Sequence, residues 1–506
     1  MHVIERMNQL FERTLEKMIW RMMLGAFVLA IAHQYLFYGQ SMGLSYPLFV
    51  MLFYTYFYLF TRDRFERIRP MNVLLFAAVL LLSFTYMWSE NPILYRLNAI
   101  AIPILMLFHT VIFASNRTGS WYDRRMVLLM LDHLIPQSWR YMPVPMRMIG
   151  TKLGKNMEAE TRRNISRILL GVAIALPLIL IVSALLMSAD QMFNELLSAI
   201  PELLADFPVW EWILRLIWIF IACLWLFGYL CGLLLPEERE GEKSDSAKPA
   251  VKQESSNGLI MLTVLIAVNL VYVLFTAVQF TYLFGAWELE LPSGMTYAEY
   301  ARSGFQELVM VAVINFILLI LSLAIFRHAS RRTIRVSQIA LSLLVGCTVI
   351  MLVSAFIRLQ LYEQVYGYTY IRFLVHGFMI YMAALLGVAG VRIWKPAFSL
   401  SRYYIVISLI ALIGINYIGI DRRIADLNIA RNASLESLDT NYLNQLSADA
   451  VPRLVKYAKQ EPAYRDSLQQ RYERMQEEER SRDWRSYNWS RDRALRLLGD
   501  YLKEHE

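Results

Sequence analysis

Long apolar runs alternate with short charged loops from Met22 to Ile420, and then the alternation stops. The clearest runs are Met71–Trp88, Ile93–Ala114, Ile168–Met187, Trp210–Leu235, Gly258–Phe284, Phe305–Phe326, Val336–Ile357 and Phe373–Ile393. Weaker runs cover Met22–Tyr38, Leu44–Phe60 and Tyr404–Ile420. A helix needs roughly 20 apolar residues to cross a bilayer, so the pattern predicts about eleven transmembrane helices. The runs are continuously apolar and do not alternate residue by residue, which favours helices over a barrel. The reading is an all-α polytopic membrane helix bundle. Residues 421–506 are polar and rich in balanced charge, and form a small soluble helical module at the C-terminus.

The loops carry charge in a regular order. Arg6, Arg13, Lys17 and Arg21 precede the first run, and Arg62, Arg64, Arg67 and Arg69 fill the second loop. The fourth loop is strongly basic, the eighth holds Arg327, Arg331, Arg332 and Arg335, and the tenth holds Arg392, Lys395 and Arg402. The first loop is uncharged and the third carries only Glu90. The fifth has acidic residues without Lys or Arg. Lys and Arg collect on the cytoplasmic side of membrane proteins, so the N-terminus is expected in the cytoplasm. An odd number of spans then puts the C-terminal module outside, provided that Tyr404–Ile420 crosses.

The remaining segments differ in kind. Residues 236–257 are Glu, Lys and Ser with almost no apolar positions, too few to drive folding, and read as a flexible cytoplasmic linker. It separates a front membrane domain (1–235, six helices) from a rear one (258–420, five helices). In the basic loop 116–167, Met126, Leu128, Leu129, Leu131 and Leu134 alternate with Arg124, Arg125, Asp132 and His133. That spacing fits an amphipathic helix at the membrane surface, with an ordinary positive-inside loop as the simpler alternative. In the module, Leu438, Tyr442, Leu443, Leu446, Val451, Leu454 and Val455 are spaced close to a helical period. Ser447 is a candidate helix cap, with Pro452 in the first turn that follows.

Composition adds limits. The chain is 57% hydrophobic and 18% charged, too apolar for a soluble protein of this length. The net charge of +8 follows the loops, as membrane topology requires, and does not point to nucleic acid. Cys223, Cys231 and Cys347 all fall inside apolar runs and read as small core residues. The N-terminal stretch is too charged, and too long before its first apolar run, for a cleavable signal peptide.

Several pieces together carry a resemblance. They are FTAVQFTYLFG (275–285), MTYAEYARSGFQELV (295–309), IRLQLYEQVYGYTYIR (357–372), IADLNIAR, LDTNYLNQLSADAVPRL and DWRSYNWSRDRAL. In these the chain resembles a bacterial multi-pass membrane family, domain of unknown function 4173, related to 4153. The likeness is strongest from Gly258 to Leu498 and covers the front half only in general pattern. It implies a bacterial plasma-membrane protein and implies no reaction, cofactor or metal.

Polar side chains gather at one end of the rear half. Tyr297, Glu299, Arg302 and Glu307 open one span, and Arg358, Tyr362, Glu363, Tyr366 and Arg372 flank the ninth loop. A charge near the apolar layer is costly unless paired, so an arginine here is expected to pair with Glu307 or Glu363. The cluster reads either as a pocket for a ligand or partner, or as an aromatic belt with structural ion pairs. Lone His and Asn residues within the runs, such as Asn98, His109, Asn269, Asn315 and His376, are expected to hydrogen-bond between helices. HExxH, Walker A and GxGxxG motifs are missing. The first functional reading is a non-enzymatic sensor, scaffold or regulator. Its partners would be membrane lipids and another envelope protein met through the module. The alternatives are a secondary transporter or lipid-handling permease, and a membrane-embedded transferase with Glu307 or Glu363 as base.

Overall fold

The computed structural model describes residues 2–62, 69–114, 121–122, 125–153, 209–235, 254–285, 305–326, 330–432 and 438–505, with single positions between 167 and 192. Among them there is no strand. Nine described helices are long and apolar enough to cross a membrane. They belong to α1 (His2–Phe37), α3 (Pro70–Trp88), α4 (Pro92–Ala114), α8 (Val209–Leu234), α9 (Glu254–Gly285), α10 (Phe305–Ile325), α11 (Arg331–Tyr366), α12 (Tyr370–Trp394) and α13 (Leu400–Tyr417). α2 (Ser45–Thr61) is apolar but has only 17 residues, about 25 Å of helix, slightly less than the hydrocarbon layer. The expected span 168–187 lies, apart from single positions, outside the described residues. So does the expected linker, except for its last four residues, which already belong to α9.

Local sequence sets several helix boundaries. Pro70 and Pro92 stand at the first positions of α3 and α4, where the missing N–H costs nothing. Asn91 Oδ1 accepts from the N–H groups of Ile93 and Leu94 and caps α4. Ser330 caps α11 by accepting from Thr333 N–H at 3.3 Å. Gly367 ends α11 at a φ of +78°, which a residue with a Cβ rarely adopts.

The front core joins α1, α2, α3, α4 and α8 around Met22, Phe57, Leu82, Ile102, Phe227 and Leu230. The rear core joins α9 to α12 around Leu265, Leu319, Leu344, Ala355 and Leu386. α13 lies against both groups. Its Leu409 packs with Met71, Leu75 and Ala78 of α3, while Tyr381 of α12 shares a 2.6 Å hydrogen bond with Ser408. Asn416 and Asn98 face each other with Nδ2 to Oδ1 distances of 2.6 and 3.2 Å, and Asn98 also donates to Thr85 Oγ1 at 2.9 Å. Amides buried in an apolar layer find one another in this way, as expected for Asn98.

Between α4 and α8 the chain forms α5 (Arg125–Asp132), a π turn (His133–Gln137), α6 (Ser138–Tyr141) and α7 (Val144–Leu153). His133, Gln137 and Ser138 are buried against α8. Gly228 and Gly232 of α8, one turn apart, let the backbone at Gln137 and Ser138 approach closely. Val127, Leu128, Leu131, Ile135 and Trp139 point away and are exposed. The segment is thus amphipathic, with its polar side docked on protein and its apolar side turned outward.

The module comprises α14 (Ile420–Asn432), α15 (Thr440–Gln445), α16 (Val451–Ala458), α17 (Arg465–Arg480) and α18 (Trp489–Glu504). Gly419, at φ +69°, turns the chain from α13 into α14. Leu443, Leu454, Leu468, Ala494 and Leu498 form the module core, and Leu94 of α4 belongs to the same cluster. Phe373 and Leu374 of α12 pack on its edge. α12 starts beside the module and α13 ends there, so α13 runs back toward the module antiparallel to α12, and it is one of the helices long and apolar enough to cross.

The amide pair generates a prediction. Asn416→Leu leaves Asn98 short of a partner and is expected to destabilise the bundle by about 1–2 kcal/mol. A thermal melt of the detergent-solubilised protein reads this as a lower midpoint, and an unchanged midpoint would show that the pair does not hold α13 in place.

Candidate functional site at the junction of module and bundle

Three loops at one end of the bundle meet the module. The first runs from Tyr38 to Leu44 and receives the segment before α18. Leu44 N–H donates to Tyr487 O at 3.1 Å, and the Ser486 hydroxyl lies 2.9 Å from both Gln40 Oε1 and Ser41 O. Arg485 donates to the carbonyls of Tyr35 and Tyr38. Gly43 permits the approach, since a Cβ there would lie 2.6 Å from Tyr487 O.

The second is the α3–α4 loop. Asn488 caps α18 through its Oδ1, which accepts from Arg491 N–H, while its Nδ2 donates to the carbonyls of Tyr86 and Ser89. One side chain therefore starts a module helix and clasps a bundle loop. Trp489 stacks on Trp88 with centroids 4.6 Å apart. Arg491 is buried and bonds Glu90 at 2.9 Å, Glu478 at 2.7 Å and Glu479 at 2.9 Å. A buried guanidinium is tolerable only with such a set of acceptors. Ser89 donates to Asp449, and Asn91 Nδ2 donates to Asp421 Oδ2 at 2.6 Å.

Asp421 is fully buried and also accepts from Ser447 N–H at 2.8 Å. Burial pushes its carboxyl above the ordinary carboxylate value, and the bonds from Ser447 and Asn91 only partly offset this. Arg471, buried nearby, spends its donors on the carbonyls of Asn444, Leu446 and Ser447, and burial holds its guanidinium below the usual value. Below the loop, Thr85, Ser89, Asn91, Tyr95, Asn98 and Asn416 line a polar cavity of about 10 Å³, the size of one water molecule.

The third is the α11–α12 loop. Asn428 accepts from Tyr368 N–H at 2.9 Å and donates to Tyr368 O at 2.8 Å, so one amide satisfies both backbone groups. Arg431 donates to Val365 O at 2.7 Å, and the Tyr442 hydroxyl accepts from Tyr370 N–H at 3.0 Å.

The polar residues singled out from sequence divide into three groups. Tyr297, Glu299 and Arg302 lie outside the described residues. Glu307 is exposed in the first turn of α10. Tyr362, Glu363, Tyr366 and Arg372 come together where α11 meets α12, and Arg358 lies half-buried one turn before Tyr362 on α11. Arg372 donates to the carbonyls of Tyr366 and Gly367, and its guanidinium lies 4.4 Å from the Tyr362 ring centroid. Tyr362 and Tyr366 are ring neighbours at 4.6 Å. Glu363 is buried with His376 Nδ1 at 3.3 Å, an inter-helix contact, and its Oε1 has no hydrogen-bond partner among the described residues. Among the described residues no group of three His, Cys, Asp or Glu could hold a metal ion.

Sequence reasoning missed most of the junction. Glu90, Asn91, Asp421, Asn428, Arg431, Asn488 and Arg491 stand as single polar residues in unremarkable surroundings. A signal was present nonetheless. Asn428, Arg431, Asp449, Arg485, Asn488 and Arg491 all lie in the segments that carried the family resemblance.

These features define a polytopic α-helical membrane protein whose terminal module is built onto three of its loops. The chain belongs to the family described as Domain of unknown function (DUF4153), whose model matches residues 76–457. The match reaches into the front half from α3 onward and includes most of the expected rear-half likeness. No curated protein and no solved structure matches the chain.

Two substitutions probe the junction. Gly43→Ala forces a methyl group onto the backbone at Tyr487 and is expected to cost about 1–3 kcal/mol. Limited proteolysis should then cut the module free sooner than in the parent protein, and equal cutting rates would mean that loop and module are not in contact. For Asp421, a carboxyl raised in the folded state stabilises the fold most at low pH. That stability is lost as pH rises from the ordinary value of 3.8 through the raised folded value. The melting midpoint of the parent relative to Asp421→Asn should therefore fall as pH rises across that window and level off above it. A difference independent of pH would show that Asp421 is not buried.

Proposed function

We propose that this chain is a non-enzymatic sensor or regulator of the bacterial plasma membrane, with its C-terminal module on the outer side. The observation that carries the reading is the shared core and polar junction. Loops joining α1 to α2, α3 to α4 and α11 to α12 are each held by module side chains, and Leu94 of α4 packs in the module's own core. A partner that pulls or reorients the module therefore acts on six helices at once. A tethered domain on a flexible linker would not couple in this way.

Charge supports the outward placement. The loops touched by the module carry few Lys or Arg, whereas loops 2, 8 and 10 and the segment docked on α8 are basic. The outer face of α17 offers Gln469, Gln470, Glu473, Arg474 and Glu477 to solvent, a mixed-charge surface suited to another envelope protein.

A lipid-handling role is the second reading. An apolar cavity of about 660 Å³ lies among α1, α2, α4 and α8, lined by Phe37, Phe53, Leu107, Trp218 and Trp225, with His33 as its polar element. Its volume and lining suit an acyl chain. A transferase has less support, because Glu363 is buried against His376 and Glu307 stands exposed in a helix's first turn.

Reporter fusions after Glu506 test the placement. Alkaline phosphatase activity without fluorescence from a cytoplasm-only reporter is expected, and the reverse pattern would sink it. Affinity capture of the cross-linked protein tests the role. The parent should retain an envelope protein that is lost on deleting 438–506 or on reversing the charges at Glu473 and Arg474. An identical set of captured proteins from parent and variants would remove the sensor reading.

A further inference from the structure

A second polar site lies beside the first loop, apart from the α11–α12 cluster. Tyr38 directly follows α1, and Glu211, Trp212 and Arg215 open α8. Arg485 reaches over from the module. Together they form the polar rim of a groove of about 560 Å³ between α1 and α8, within the range of ligand sites. Below the rim the wall is apolar, made by Ile31, Leu216 and Ile219. A polar rim at the start of a membrane span above an apolar wall matches the profile of an amphiphile at the bilayer boundary.

The rim has unspent hydrogen-bonding capacity of both kinds. Tyr38 Oη and Arg215 Nη2 each donate to Glu211 Oε1 at 2.6 Å, which leaves Oε2 without a partner among the described residues. Arg215 Nε, buried just beneath the rim surface, also has no acceptor among the described residues. An acceptor and a donor on opposite charges, side by side, call for a ligand carrying both charges. Arg215, and Arg485 through the Nη2 left over by its ion pair with Asp483 and its bonds to the Tyr35 and Tyr38 carbonyls, offer donors to a phosphate, and Glu211 Oε2 offers an acceptor to an ammonium. The ring faces are already taken. Arg215 lies 3.9 Å from the Tyr38 centroid and Arg485 lies 5.2 Å from that of Tyr35. A quaternary ammonium, which relies on ring faces, therefore finds less here than a primary ammonium, which donates N–H to Oε2.

We infer that this groove binds a zwitterionic phospholipid with a primary ammonium headgroup. Its phosphate lies on Arg215 and Arg485, its ammonium on Glu211, and one acyl chain runs along Ile31, Leu216 and Ile219. Because Arg485 belongs to the module, the site is complete only when the module is docked. The inference needs that docking but not the sensor reading, and binding is measured independently of any captured protein.

Native mass spectrometry of the full chain in detergent, titrated with dioleoyl phosphatidylethanolamine, phosphatidylglycerol or phosphatidylcholine, tests it. The ethanolamine lipid should bind most tightly. Glu211→Gln should weaken it about tenfold, the share of one charge-assisted contact, and leave phosphatidylglycerol unchanged. Arg215→Gln should weaken both, and Arg215→Lys should restore part of the loss. Glu211→Asp, which keeps the charge but draws the carboxylate back by one methylene, serves as a second variant should Glu211→Gln fail to fold, and should bind the ethanolamine lipid more weakly than the parent while binding phosphatidylglycerol as before. Three results overturn the inference: equal or tighter binding of phosphatidylglycerol by the parent, equal loss of both lipids in Glu211→Gln, or soluble phosphoethanolamine binding as tightly as the lipid.

Discussion

At one end of this bundle, loop backbone groups are satisfied by side chains of the module, and the architecture there depends on that exchange. A carbonyl or N–H shut away from water needs a partner, and an unpaired one costs about 1–3 kcal/mol. Asn488 answers Tyr86 and Ser89, Asn428 answers both groups of Tyr368, and Arg431 answers Val365. The same logic explains the buried charges. Arg491 has three carboxylates around it, and Arg471 has three carbonyls. Asp421 is the exception, since it bonds an amide and an N–H and makes no ion pair among the described residues, and burial raises its carboxyl by more than those two bonds offset.

What sequence made visible and what it did not follow from the range of each signal. Transmembrane runs are local and strong, so seven of the nine described helices long enough to cross coincide with the clearest runs, and α1 and α13 coincide with weaker ones. The order of loop charges is also local, and it groups loops 1, 3 and 9 on one side. The structure joins those same three loops to the module, which no single loop announced. Module helices were legible through Leu443, Val451 and Leu454. Their start was less so, because Ser447 precedes a 3-10 turn and gives its N–H to Asp421 instead of capping α16 directly.

The polar cluster at loop 9 shows the limit differently. Arginine, tyrosine and glutamate close together in sequence invite ion pairing, yet Arg372 spends its donors on carbonyls and its face on Tyr362. Glu363 turns instead to His376, one span further along. Helical spacing places residues on a face but does not say which face meets which neighbour. Contacts between positions hundreds of residues apart, such as Glu90 with Arg491, leave no mark in a single sequence.

The two ends of the bundle use different devices for one problem, the seating of polar segments on an apolar body. At the far end the segment before α7 docks by close backbone approach to Gly228 and Gly232, with its apolar stripe facing outward. At the module end docking is by long side chains that reach loop carbonyls. Backbone-to-glycine packing is short-ranged and leaves little room for adjustment. Arg485, which bonds Asp483 and the Tyr35 and Tyr38 carbonyls through Nε and Nη1 only, keeps Nη2 for another acceptor, so this clasp can adjust at small cost. The module end is therefore where a bound lipid or protein can shift the balance, and Arg485, which touches both the first loop and the rim of the α1–α8 groove, stands where the two inputs meet.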